Sequence, residues 1–245
     1  MEFKVHTYSQ LPSTQDYIKD LAAEGFAEGE VIQCLIQTKG RGRHGNEWTS
    51  PMGNLYMSVL LRPDCKADEA GQISFVAAVA LSAAIAEYLD EKHTKTLKWP
   101  NDILIDEKKC AGILLESDLK GDKVESLALG MGVNIMAAPE GAVGLNAVTW
   151  DIQVPIHPFR DKVLEHLDKY YTQWKKEGFA PIRELWLKEA HGLGQSITAR
   201  LADKSYEGVF EALDEKGALL LKQDNGDILD ISAGEVYFSD RINGS

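Results

Sequence analysis

Three cations, Lys39, Arg41 and Arg43, stand within five residues, interleaved with Gly40, Gly42 and Gly45, and Trp48 follows. Guanidinium forks match carboxylate and phosphate oxygens. Glycines let a backbone and its N–H groups approach an anion closely. The chain around them is acidic, with 26 Lys and Arg against 38 Asp and Glu and a formal charge of −12. Cations concentrated in one loop of such a chain point to a bound anion. The overall charge argues against general affinity for DNA or an anionic membrane. The letters GRGRHG also match G-x-G-x-x-G, the dinucleotide fingerprint, but the context fails. That fingerprint needs a helix opening on the glycines, and NEWTSPMGN, with Pro51 and Gly53, runs into a strand instead.

Three other stretches could carry chemistry. TLKWPNDILID (96–106) bends at Pro100 and sets Asn101 and Asp102 beside a strand end, with Lys98 just before. KKCAGILLES (108–117) puts Lys109 ahead of small residues and Gly112 inside a strand, where glycine commonly lets a ligand or backbone pass close. GMGVNI (130–135) has two strand glycines followed by Asn134. Each alone also reads as ordinary structure: a solvated loop, a Pro-Asn-Asp turn, a bulge. His6, His44, His93, His157, His166 and His191 show no ligand spacing. Cys34, Cys65 and Cys110 are odd in number and form no C-x-x-C, which fits a reduced, cytoplasmic setting. A metal or thiol enzyme therefore lacks support.

The elements that must position these residues follow from pattern. Strands are expected at Phe3–Tyr8, Val31–Gln37, Asn54–Leu61, Thr96–Trp99, Asp102–Asp106, Cys110–Glu116 and Val124–Ile135. DEKK and DLKGDK read as turns. Ser13 or Thr14 caps a helix running to about Glu24. An Ala-rich buried helix is expected over Glu69–Lys92, and two amphipathic helices, FRDKVLEHLDKYYTQWKKEG and PIRELWLKEAHG, stop at Gly178 and Gly192. Consecutive strands joined by turns argue for an α+β fold whose sheet is mixed and largely antiparallel, flanked by helices. From about Gln195 the texture changes to short strands, a small β-barrel. The N-terminus lacks an apolar signal region, and the longest apolar run, Ile73–Ala86, is too short to span a bilayer.

Taken in order, STQ (13–15), QTKGRGRHGNEW (37–48), KWPNDI (98–103), KKCAGIL (108–114) and GMGVNI (130–135) closely resemble the biotin protein ligases. The resemblance covers essentially the whole chain, and GRGRHG-x-x-W followed by KWPND is specific to that family. It implies a catalytic domain over 1–192, of the class II synthetase and biotin–lipoate ligase type, and a small SH3-like domain over 193–245. Members that also repress transcription carry an extra N-terminal helix-turn-helix, so DNA binding is not expected here. Cys110 departs from the aliphatic residue usual in the family and reads as a core substitute.

The implied reaction activates biotin with ATP as biotinyl-AMP, then transfers it to a lysine of a biotin carboxyl carrier protein, such as that of acetyl-CoA carboxylase. Its first step brings two anions together, so charge neutralisation and alignment dominate. The resemblance assigns Ser13, Thr14, Gln15 and Gln37 to the biotin head, with Gly40, Gly112 and Gly130 giving close backbone approach. Arg41 and Arg43 hold phosphate and carboxylate oxygens, and Lys109 bridges the biotin carboxylate and the α-phosphate. Trp48 covers the adenylate, and Asn134 contacts adenine. Asp102, with Asn101, either helps hold Mg²⁺ or accepts a proton from the incoming amine. Lys98 stabilises the acyl-phosphate. A homodimer is compatible with the family. The alternatives are a lipoate or octanoyl transferase of the same fold, against which the KWPND and GRGRHG pair argues, and a nucleotide-binding regulator without turnover.

Overall fold

The structure, a computed structural model, describes residues 1–150, 152–201 and 204–238. Ser13 opens the first helix as predicted: its backbone is extended and its side chain accepts from the Gln15 N–H. Helix α1 (Thr14–Ala23) follows strand β1 (Lys4–Leu11) and leads to β2 (Glu30–Gln37). Strand β3 (Leu55–Leu61), helix α2 (Gln72–Ala86), and strands β4 (Lys95–Lys98), β5 (Asp102–Ile105), β6 (Lys108–Lys120) and β7 (Lys123–Val133) complete the first sheet. Its order is β1-β2-β3-β7-β6-β5-β4, with β1 parallel to β2 and every other pair antiparallel. Helices α3 (Ile156–Glu177) and α4 (Ala180–Lys188) follow. Strands β8 (Ser196–Arg200), β9 (Ser205–Leu213), β10 (Leu219–Lys222), β11 (Ile228–Ile231) and β12 (Glu235–Phe238) form a separate antiparallel sheet. The α+β reading holds.

Four expectations change, the smallest being the last helix, which ends at Lys188 and not at Gly192. The long helix ends at Ala86, not Lys92, although Glu87–Lys92 suit a helix by composition. The chain turns there because the Asp90 backbone N–H donates to the Val148 carbonyl and Leu89 bridges Thr149, which ties it to the segment before α3. The β6–β7 hairpin runs further than Glu116, since DLKGDK is mostly paired strand with only Gly121–Asp122 left as its turn. The helical stretch Ala67–Ala86 is, by length and composition, apolar enough to cross a membrane, contrary to the estimate from Ile73–Ala86. Most of it is buried inside the fold, against α3, α4 and the sheet.

Strand periodicity builds the cleft. On β3 and β7, Leu55, Met57, Val59, Leu61, Leu127, Leu129, Met131 and Val133 face the main core with α2. The alternate residues face α1. Register pairs Tyr56 with Gly132, Ser58 with Gly130 and Leu60 with Ala128, and continues across β6 to Gly112, Leu114 and Glu116. Ile18 of α1 packs on Ile32, Leu60 and Ala128, the closed end of that face. Towards the other end Ser58, Gly130, Gly132 and Gly112 are small, leaving a hollow bounded by Tyr56 and Leu114.

Candidate active site

That hollow is a cleft of about 250 Å³, roofed by the glycine loop and closed on one side by the β4–β5 turn and β12. It brings together Ser13, Thr14, Gln15, Gln37, Arg41, Arg43, Trp48, Lys98, Asn101, Asp102, Lys109, Gly112 and Gly130, which the sequence scatters over more than a hundred positions.

Its inner end is a connected polar network. Gln37 Oε1 accepts from the Thr14 N–H at 2.9 Å and from Thr14 Oγ1 at 3.1 Å. Thr14 Oγ1 lies 2.9 Å from Ser58 Oγ, which donates to Gln15 Oε1 at 3.0 Å. Gln15 Nε2 donates to the Ala128 carbonyl, and Gln37 Nε2 donates to Ser50 Oγ, which in turn donates to the Trp48 carbonyl. Ser13, Thr14, Gln15 and Ser58 are at most 4% exposed. Amides and hydroxyls buried this deeply need partners, and here they hold one another in fixed orientations. A Cβ on Gly130 would lie 2.6 Å from Gln15 Oε1, so glycine there makes room for that amide.

The outer end is cationic, and its charges are compensated within the protein. Lys109 Nζ lies 2.7 Å from Asp102 Oδ1 and 5.3 Å from the Trp48 ring centre. Arg41 contacts Asp16 at 2.5 Å and Glu116 at 3.2 Å. Arg43 donates to Asn101 Oδ1 at 3.3 Å and to the Gly234 carbonyl at 3.4 Å. Burial lowers the Arg43 pKa, while Asp102 and Glu235 pull it back up; an arginine stays charged throughout. The Trp48 ring lies against the β6 and β7 backbone. A Cβ on Gly112 or Gly132 would sit 2.9 or 2.6 Å from its carbons. Its buried indole N–H has no partner among the described residues.

The loop is a tight hairpin. Gly42 N–H donates to the Asn46 carbonyl and Trp48 N–H to the Gly40 carbonyl, with His44 and Gly45 at positive φ at its tip. Two expected contact residues do not line the cleft. Gly40 is buried at the hairpin base, where a Cβ would lie 2.3 Å from the Trp48 carbonyl oxygen. Asn134 is 3% exposed and its side chain reaches back to the Lys109 carbonyl.

Sequence reasoning missed Ser58, Tyr56, Gly132, Glu235 and Tyr237, all of which line the cleft. Ser58 had a signal: it is the one hydroxyl in the otherwise buried run LYMSVLL apart from the Tyr56 phenol. Gly132 follows Gly130 at strand period and so shares its face. Glu235 and Tyr237 had none, because only the docking of the second sheet brings them in. Tyr237 donates to Glu235 and stacks under Arg200, with Lys98 Nζ 5.7 Å from its ring centre.

No group of three His, Cys, Asp or Glu among the described residues could hold a metal ion. The three cysteines are buried and free, and burial pushes the Cys110 thiol up to about 12. That makes Cys110 the core substitute expected of it and an unreactive thiol.

Known proteins match along the length. Residues 7–134 match the family model described as Biotin/lipoate A/B protein ligase family, and 192–239 match Biotin protein ligase C terminal domain. A biotin–[acetyl-CoA-carboxylase] ligase from Paracoccus denitrificans is 39% identical over 226 residues, 88% of this chain and 93% of that protein. A bifunctional ligase/repressor from Bacillus subtilis (strain 168) is 34% identical over 224 residues, 88% of this chain and 68% of that one. A biotin protein ligase from Aquifex aeolicus, solved in complex with biotin and ATP, superimposes with a TM-score of 0.80 at 28% identity, covering 96% of this chain and 97% of that one. One from Leishmania major, in complex with biotinyl-5-AMP, gives 0.66 at 27%, covering 94% and 99%. With a satisfied polar pocket joined to a cationic mouth on this fold, the chain belongs to the biotin protein ligase family.

Proposed function

We propose that this chain activates biotin with ATP and transfers it to a lysine of a biotin carboxyl carrier protein. The observation that carries the proposal is the junction of two unlike ends in one cleft: oriented neutral amides and hydroxyls within, Arg41, Arg43 and Lys109 at the mouth. The inner network suits a small, neutral, hydrogen-bonding head such as a ureido ring. The mouth suits a carboxylate meeting a triphosphate.

In the first step a biotin carboxylate oxygen bonds to the α-phosphorus and the bond to the β-phosphate oxygen breaks, releasing pyrophosphate. Lys109 leaves Asp102 for the phosphate and neutralises charge that grows at the α-phosphate. Arg43, half-buried and braced by Asn101, fixes the approach. Trp48 covers the adenylate and shields the anhydride from water. In the second step a carrier lysine nitrogen bonds to the acyl carbon, the bond to the AMP oxygen breaks, and Asp102 accepts the ammonium proton. Magnesium would come with ATP as the counter-ion of its phosphates, and Asp102, once Lys109 has left it, is the carboxylate at the β4–β5 turn that would face it.

The test is radiolabelled pyrophosphate exchange into ATP. Exchange driven by biotin is expected. Exchange driven by lipoate, or by neither acid, overturns the reading.

A further inference from the structure

Lys109 stands where the sheet ladder is irregular. Asp102 pairs with Gly112 and Ile103 with Ala111, but Leu104 pairs with Lys109, so Cys110 is extra on β6. A bulge leaves the local backbone less fixed by strand pairing. Something else must hold the Lys109 main chain, and the 134–146 corner does so. Its Val143 N–H and Asn134 side chain both donate to the Lys109 carbonyl, and the Asn134 N–H donates to the Cys110 carbonyl. The corner closes on itself through the Leu145 N–H to the Asn134 carbonyl and the Asn146 N–H to the Ile135 carbonyl.

One side chain pins this corner to the rest of the site. Asn54 Oδ1 accepts from three successive backbone N–H groups, of Ile135, Met136 and Ala137, at 2.9, 3.0 and 3.1 Å. Its Nδ2 donates to the Ala137 carbonyl at 2.8 Å. Asn54 is 2% exposed, follows the end of the glycine loop, and opens β3, whose Tyr56 and Ser58 line the cleft. The preceding turn admits only glycine, since Gly53 has φ +101 and a Cβ there would meet Met136 Sδ at 2.7 Å. The same residue thus follows the loop that carries Trp48 and fixes the corner that holds the Lys109 main chain.

The geometry points to Asn54 as a positioning residue that sets Lys109 against the loop for the adenylation step. Asn54 does not itself line the cleft and acts through the corner, with a second contact to the Tyr56 phenol. The inference rests on the adenylation reading above. Its predicted signature is kinetic. Loosening the corner displaces the Lys109 charge without disturbing Thr14, Gln15, Gln37 and Ser58, which are held by their own bonds. A misplacement of about 1 Å can cost roughly 10²-fold in rate.

The test compares Asn54→Ser with Asn54→Asp. A serine hydroxyl is too short to reach three N–H groups, whereas a carboxylate keeps the three-way acceptor. Biotin-dependent pyrophosphate exchange by the unaltered protein first establishes the reaction; without it, the functional reading fails and the variants are read by proteolysis alone. Asn54→Ser is expected to lower kcat by about 10- to 10²-fold, with the KM for biotin nearly unchanged, and Asn54→Asp to recover part of that loss, since it keeps the acceptor but not the donor to the Ala137 carbonyl. Tryptic cleavage after Arg41 and Arg43 is expected to speed up in Asn54→Ser only. Equal kcat in all three proteins at equal folded fraction overturns the inference. So does a rise in the biotin KM with kcat intact, or cleavage rates that do not distinguish the two variants.

Discussion

The two ends of the cleft solve the problem of buried polarity in opposite ways. At the inner end Thr14, Gln15, Gln37 and Ser58 satisfy one another with no net charge, Gln37 half-buried and the other three almost fully buried. At the mouth the polar groups are ions, each held by an opposite charge or dipole of the protein: Lys109 by Asp102, Arg41 by Asp16 and Glu116, Arg43 by Asn101. The first end is a mould whose shape is set in advance. On the proposed reading the second is an exchange site, where an incoming anion must win a cation from a carboxylate. Desolvation makes that exchange favourable inside a cleft and weak at its rim. An acidic protein can therefore keep a cationic site without leaving bare charges facing one another.

The sharpest break between the two ends is expected at Lys109. Replacing it by Met keeps the stem over Trp48 and removes the charge. Adenylation is expected to fall by about 10²–10³-fold, while biotin binding, measured by calorimetry, stays within a few-fold. Near-normal turnover would remove Lys109 from the mechanism and with it the exchange picture.

At the inner end Ser58→Ala is the matching cut. It leaves Gln15 Oε1 buried without its donor, a cost of about 1–3 kcal/mol. Lower denaturant stability and weaker biotin binding are expected together, with inhibition by pyrophosphate unchanged. If pyrophosphate inhibition shifts as much as biotin binding, the two ends are one network and the comparison fails.

How much of this was legible in the sequence follows the same division. The inner strands were readable because β-branched and apolar runs such as Val31–Gln37 and Asn54–Leu61 are dictated by local pattern. The motif residues were readable one by one, and the resemblance joined them. What local pattern could not give were long-range placements. The end of α2 at Ala86 depends on a bridge to Thr149. The inward turn of Asn134 depends on the bulge at Cys110. The presence of Glu235 and Tyr237 depends on the second sheet docking through the Trp99 N–H to the Gly217 carbonyl.

That docking gives a smaller prediction. Tyr237, 39% exposed, lies under Arg200 and near Lys98 at the mouth. Tyr237→Leu removes an exposed cation–π contact of about 0.5–1 kcal/mol and the partner of Glu235. The KM for ATP is expected to rise a few-fold with biotin binding unaffected. No change in either would make the second sheet a bystander to the mouth.

The smallest effect is expected at Glu116, and it tests the exchange picture from the opposite direction. Every other substitution removes something the reaction uses; Glu116→Gln removes a competitor. Glu116 holds Arg41 from β6 at 3.2 Å and also faces Lys19 at 3.7 Å, with its side chain 27% exposed. Ion pairs this exposed are worth about 0.2–1 kcal/mol. If ATP must draw Arg41 away from Glu116, neutralising Glu116 lowers the KM for ATP by that amount, about 1.4- to 5-fold. Asp16 still holds Arg41 at 2.5 Å, which keeps the gain at the lower end. The gain should shrink as salt is raised, because the competing pair is itself screened. Steady-state kinetics at low and high ionic strength measure both. A KM that rises in Glu116→Gln would mean that Glu116 aims Arg41 rather than restrains it, and the mouth would then be as preset as the inner end.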